Sequence, residues 1–278
     1  MPEYILYDVA DGVATITLNR PDRANAQHQP LLEELNQAWE DAAADDNVRV
    51  ILLRGEGKHF SAGHDTSGSP ETRTPELAKV GGCIKETGLL ELYKWEAKHY
   101  LGFSRRWRDI PKPSIAAVQG ACIAGGLLLV WPCDIIIAAD NARFSDPVVM
   151  MGIGGVEYHG HTWELGPRKA KEMLFTAQPV SALEAEKRGM VNKVVPLADL
   201  DAEARAMALQ IAKMHPHALA MAKRAVNHTM DIIGQYAAIQ SVFDIHQMGH
   251  ASAYAQSGSM ILVDHNAIKA ASQKADKA

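Results

Sequence analysis

The sequence predicts an α/β fold with a largely parallel, covered sheet, followed by a C-terminal helical region. Three observations lead there. Short apolar runs such as "VRVILLRG", "SIAAV" and "DIIIAAD" read as buried strands. Stretches of helical periodicity fall between them, and strands that alternate with helices argue for parallel pairing. From 199 to 257 the chain is Ala-rich and helical by periodicity, punctuated by Pro216 and Gly234. The expected division is an α/β core over 1–198 and a helical region over 199–278.

The elements follow in order. "EYILYDVADGVATITL" alternates and turns at Asp11-Gly12, so it reads as a hairpin and not as a targeting peptide. "NRPDRANAQ" is a polar turn. A helix follows over Leu31, Leu32, Leu35, Ala38 and Trp39, and "VRVILLRGEG" is a strand ended by glycines. An amphipathic helix is expected over about Leu89–Trp107, then a strand at Ser114–Val118, a glycine turn with a second helix, and the strand "DIIIAAD". From about Arg168 another helix is expected. Ser181 with Glu184 then forms a capping box, and Gly189 ends that helix. Segment 65–88 is the one long Gly/Pro/Ser/Thr-rich stretch inside the core, a lid or a disordered loop. The final "NAIKAASQKADKA" is polar and expected to fray.

Composition narrows the function classes. The 278 residues are 47% hydrophobic and 22% charged, which is ordinary for a globular protein large enough to bury a sizeable core. A net charge of −5 gives no support for a nucleic-acid partner. The local cluster Arg105, Arg106 and Arg108 reads as solvated helix surface, with a phosphate site as the alternative. Cys83, Cys122 and Cys133 have no metal-ligand spacing, and an odd count with no signal peptide fits reduced thiols in the cytoplasm. The most apolar stretch, 115–139, is interrupted by Gln119, Pro132 and Asp134, so no membrane span is expected.

Two strand-to-turn junctions look alike: "GEGKHFSAGHD" and "VQGACIAGG". In a parallel sheet both fall at the carboxyl ends of strands, where such sheets place ligands. Adjacent turns would let the N–H groups of His64 and Gly125 converge on one oxygen and stabilise an oxyanion by several kcal/mol. A turn taken alone has a plainer explanation, because glycine supplies positive φ and close packing.

Five segments in order, "NRPDRANAQ", "GEGKHFSAGHD", "IPKPSIAAVQGACIAGGLLL", "CDIIIAADNARFSDP" and "AKEMLFTAQPVSALEAEKRGMVNKVVP", resemble the crotonase superfamily, the enoyl-CoA hydratase/isomerase family. The similarity runs from about residue 5 to 200. It implies stacked ββα turns and a C-terminal helical trimerisation region giving trimers or hexamers. It also implies a coenzyme A thioester whose carbonyl lies between the amides of His64 and Gly125. Coenzyme A enters as part of the substrate, and no separate cofactor is expected. The nucleotide end is expected near Arg23, Ala24 and Ala26 and near Ala62, Asp65, Thr66 and Ser67. Arg23 suits a phosphate, or is a solvated loop arginine.

The same resemblance exposes a departure. Hydratases of the family use two glutamates, and the corresponding positions here are Leu128 and Val148. Neither side chain moves protons. Asp146 lies two residues from Val148 and is either a displaced acid or the cap of a helix with Pro147 at its first position. Glu157, in "GIGGVEYHGHTWE", is either a functional acid or a helix-start glutamate favouring the dipole. The His64 ring is a further candidate beside its own amide, and Asp65 also reads as a buried structural carboxylate.

His159 and His161, beside Tyr158, line the acyl pocket or sit in the core or on the surface. His246 and His250 stand at metal-capable i, i+4 spacing near Asp244, but the sequence shows no third ligand, so no metal is expected and helix packing or subunit contact is preferred. Three functions follow: chemistry on an acyl- or enoyl-CoA with a displaced acid/base, non-catalytic acyl-CoA binding, or another crotonase reaction (decarboxylation or carbon–carbon hydrolysis) using His64 or the 157–161 cluster.

Overall fold

Asp11 and Gly12 take positive φ, 54° and 78°, as a two-residue hairpin turn matched to strand twist requires. They join β1 (Ile5–Ala10) antiparallel to β2 (Val13–Leu18). The computed structural model describes residues 4–67 and 84–262. It adds β3 (Val50–Gly55), β4 (Ser114–Val118), β6 (Ile135–Ala139) and β9 (Lys193–Val195), all parallel, in the order β1-β2-β3-β4-β6-β9. A second sheet holds β5 (Ala121–Ile123), β7 (Arg143–Ser145) and β8 (Val180–Ser181). Most of segment 65–88, including Cys83, and the terminal "NAIKAASQKADKA" lie outside the described residues.

Period-two alternation sorts the large sheet onto two cores. Ile16, Leu18, Ile51, Leu53, Ala116 and Val118 face one; Val13, Val50, Leu52, Ile115, Ala117 and Ile137 face the other. Helix Gln29–Ala44 covers the first face, with Leu31, Leu32, Leu35, Ala38 and Trp39 all buried. Helix Leu200–Ala212 covers the second through Leu200, Ala204 and Ala208. The expected boundary at 198/199 is therefore not a break in packing. A parallel sheet must be covered on both faces, and the first C-terminal helix supplies the second cover. Helices Pro216–Ile232 and Gln235–Ser257 follow, separated by Gly234 at φ 106°.

Tertiary context also corrects local expectations. Arg105 and Arg108 are not solvated surface: they hold the C-terminal helices. Arg108 donates to Asp231 and Gln235, both at 2.9 Å. Arg105 donates to Gln240 at 2.8 Å and lies 4.1 Å over the Tyr236 ring. The helix expected over about Leu89–Trp107 is interrupted: Leu90–Glu96 and Gly102–Asp109 flank a π turn at Ala97–Leu101. A Cβ at Gly102 would lie 2.6 Å from the Ala97 carbonyl oxygen, so the widened turn depends on that glycine.

Ser181 accepts from the Glu184 N–H at 3.2 Å, but the Glu184 carboxylate pairs with Arg188, so only half of the capping box forms. Among the described residues no helix is long and apolar enough to cross a membrane.

Candidate active site

The site is built on three loops stitched together by backbone hydrogen bonds. In "NRPDRANAQ", Ala24 and Asn25 take positive φ, 50° and 52°. The fully buried Asn25 amide donates to the carbonyls of Glu56 and His59 at 2.9 Å and of Phe60 at 3.1 Å. Gln27 N–H donates to Gly63 at 2.7 Å, Asp65 N–H returns to Gln27 at 2.8 Å, and Ala62 N–H reaches Ala24 at 2.9 Å. The segments expected at a nucleotide end thus run side by side. Ala24 and Ala26 are half-buried, while Arg23, Ala62, Thr66 and Ser67 are exposed. Asp65 instead turns inward to Arg20 at 2.5 Å, both side chains about 5% exposed. Sequence reading missed Arg20 and Asn25; their one signal was two polar residues inside an otherwise recognisable motif.

Asp65 carries a pH-dependent contribution. Burial pushes its carboxyl up, but hydrogen bonds from Ser67 and the Arg20 guanidinium outweigh this and hold it below the ordinary 3.8. A depressed folded-state value stabilises above the unfolded value, and that stability is lost as pH falls through the folded one. Denaturant midpoints should therefore separate wild type from Asp65→Asn at pH 7, with the gap closing below about pH 4. A gap that persists or widens in acid contradicts the pairing.

The two glycine turns are adjacent. Ser61 N–H donates to Ala121 and Ile123 N–H to Ser61, both at 3.0 Å. Gly63, at φ 86°, sits so close that a Cβ would lie 2.7 Å from the Ile123 oxygen and 3.0 Å from the Gly125 nitrogen. The His64 ring rests on Gly125, where a Cβ would come within 3.0 Å of three ring atoms. The helix expected after the turn is one 3-10 turn, Ala124–Gly126, and one α turn, Leu127–Val130. Leu128 is 2% exposed in the core and Val148 packs against it.

His64 is the centre of a polar cluster. Its ring stacks on Tyr100 at 3.9 Å, a residue delivered by the π turn. Its Nε2 lies 3.3 Å from the Glu157 carboxylate, which is 3% exposed. A carboxylate held below its ordinary range only accepts; burial opposes this ionisation, but His64 and His246 outweigh it. His64 Nε2 therefore carries the proton. Its buried Nδ1 has no partner among the described residues. Glu157 is not a helix-start glutamate: the following helix begins at His161, and Glu157 lies in the irregular loop before it.

Asp146 is 0% exposed and its oxygens are occupied. It accepts from Val148 N–H at 3.3 Å, Val156 N–H at 2.9 Å and His161 Nε2 at 2.8 Å. Its carboxylate spans the loop that carries Glu157, at both ends. His161 is fully buried in this pairing, and His159 bonds Thr162 at 3.0 Å. The expectation that His246 and His250 lack a third partner is corrected. Glu96, from helix Leu90–Glu96, reaches both. The sequence could not show this, because Glu96 is distant in the chain and belongs to no motif.

A parallel sheet with glycine turns at its strand ends, a small sheet alongside and closing C-terminal helices is the crotonase fold. Residues 8–261 match the family described as enoyl-CoA hydratase/isomerase. EchA13 of Mycobacterium tuberculosis, provisionally named an enoyl-CoA hydratase, is 42% identical over 258 residues, covering 90% of this chain and 81% of that protein. The short-chain-enoyl-CoA hydratase of Clostridium acetobutylicum is 36% identical, over 81% of this chain and 82% of its own. A solved structure of a probable enoyl-CoA hydratase from Mycobacterium thermoresistibile superimposes with a TM-score of 0.84 at 61% identity, covering 93% of this chain and 99% of that one. The chain belongs to the enoyl-CoA hydratase/isomerase family.

Proposed function

We propose that the chain is an enzyme acting on an acyl- or enoyl-CoA thioester, with His64 as the proton-transfer group and Glu157 as the carboxylate that orients it. The observation that carries this is the buried, unpartnered Nδ1 of a ring that lies on the Gly125 turn and is backed by Glu157. The thioester carbonyl oxygen accepts from the N–H groups of His64 and Gly125. In the neutral ring with its proton on Nε2, Nδ1 takes a proton from the carbon beside that carbonyl, the electron pair moves onto the oxygen, and reprotonation returns it. Arg23, exposed in the loop assigned to the nucleotide end, is the cation that meets a phosphate there. Asp146, with its oxygens occupied, is a positioning group in this reading. With leucine and valine at 128 and 148, two-glutamate hydration is not proposed.

A panel tests the reaction: crotonyl-CoA for hydration, malonyl-CoA for decarboxylation, and a β-keto acyl-CoA for carbon–carbon cleavage. Turnover of one, lost in His64→Gln, supports the proposal. Acyl-CoA binding without any turnover overturns it and leaves a binding protein. Gly125→Ala tests the seat of the His64 ring: alanine keeps the backbone N–H, but the added methyl collides with the ring, and kcat should fall about 100-fold. An unchanged kcat would show that turnover does not depend on the ring resting on Gly125.

A homotrimer or hexamer is part of the same reading. Its support is the apolar surface of the last helices, where Val226 is 64%, Ile232 73%, Ile233 62% and Met248 69% exposed. The mass in solution tests it.

A further inference from the structure

Beyond the proposed reaction, we infer that Glu96, His246 and His250 form a binding site for one divalent transition-metal ion of the zinc class. All three are buried, at 5%, 4% and 8% exposure. His246 and His250 lie one turn apart on helix Gln235–Ser257, while Glu96 comes from a helix about 150 residues earlier in the chain.

The hydrogen bonds fix which ring atoms face inward. His246 Nδ1 lies 2.6 Å from the Gly155 carbonyl oxygen and His250 Nδ1 lies 2.8 Å from that of Met260. A carbonyl only accepts, so each Nδ1 is the donor and each ring turns its Nε2 toward the other, 3.1 Å away. Glu96 adds carboxylate oxygens 3.4 Å from His246 Nε2 and 3.6 Å from His250 Nε2. Three potential ligand atoms thus converge within 4.8 Å of one another, and an ion bound there displaces the proton they share.

One shared proton satisfies a single contact. The carboxylate distances are also longer than charge-assisted hydrogen bonds, which run at about 2.7–2.9 Å. They are the distances of co-ligands: nitrogen and oxygen atoms about 2.0–2.1 Å from one ion at tetrahedral angles stand about 3.3 Å apart. Two imidazoles and a carboxylate are a zinc-type donor set.

The surroundings match as well. Metal-bound imidazoles give their other N–H to a carbonyl, and bound carboxylates are themselves hydrogen-bonded. Here Gly155 and Met260 receive the two N–H groups, and the Gln247 side-chain amide donates to Glu96. Glu157 lies 3.6 Å from His246 Nε2, so the ion would join the long C-terminal helix to the loop carrying the proposed orienting carboxylate.

The test is made on the full chain without a polyhistidine tag, and its readouts do not depend on turnover. Elemental analysis after growth with zinc, followed by dialysis, should show one metal per chain. Cobalt added to chelator-stripped protein should develop the visible ligand-field band of a four- or five-coordinate site. A competing chromophoric chelator should report affinity. His250→Gln and Glu96→Gln should abolish the cobalt band. Gln247→Ala should weaken affinity about tenfold to a hundredfold. Wild-type protein that keeps no metal and shows no band beyond that of His250→Gln overturns the site, whether or not the variants fold. Because binding is read directly, this failure is distinguishable from failure of the proposed reaction.

Discussion

Replacing Glu157 by glutamine is expected to lower kcat about 10³-fold on the thioester the panel identifies, with KM changed little. The carboxylate holds His64 as the Nε2–H tautomer and balances the charge that ring gains when Nδ1 takes a proton. An amide can present either an oxygen or an NH₂ group to the ring, so it does not enforce that tautomer, and it carries no charge. The side chain is buried and nearly isosteric with glutamine, so far-UV circular dichroism should not change. Since Glu157 acts through His64, the double variant with His64→Gln should be little worse than either single one. Loss confined to KM, or additive losses, would separate the two residues. A kcat within about threefold of wild type would remove the pair from proton transfer.

Replacing Asp146 by alanine is expected to cost about 3–5 kcal/mol of stability, since it strips the acceptor from Val148 N–H, Val156 N–H and His161 Nε2 at about 1–3 kcal/mol for each buried donor left unsatisfied. His161 has no solvent exposure in which to find water, and Val156 loses its acceptor at 2.9 Å. Asp146→Asn keeps an acceptor oxygen and should cost less, about 1–3 kcal/mol. The urea midpoint should fall in both without a change of slope. A midpoint for Asp146→Ala equivalent to a loss within about 0.5 kcal/mol would show that the loop does not depend on this carboxylate.

The fold was legible because its signals are local. "DIIIAAD" announces a buried strand by composition, Asp11-Gly12 a hairpin by backbone freedom, and the alternation in β2 and β3 a two-faced sheet. The two glycine turns were readable for the same reason, but their adjacency, which the sequence posed only as a condition, is supplied by the structure. The π turn was not readable: it depends on Gly102 approaching Ala97 within one widened turn, which the periodicity of 89–107 does not record. The arginine cluster misled for a related reason. Burial of Arg108 depends on Asp231 and Gln235, which helical pattern alone cannot bring to it.

The site divides along the same line. By itself the sequence determined the family, the sheet, the two turns and the presence of leucine and valine at 128 and 148, because these are properties of residue type and near spacing. Which of the remaining polar groups meet was decided only by the tertiary structure. His64 and Glu157 are 93 residues apart and Glu96 and Gln247 are 151 apart. No spacing rule reaches that far. It took the folded chain to close Asp146 onto Val148, Val156 and His161 as a brace, and to leave His64 Nδ1 without a partner among the described residues.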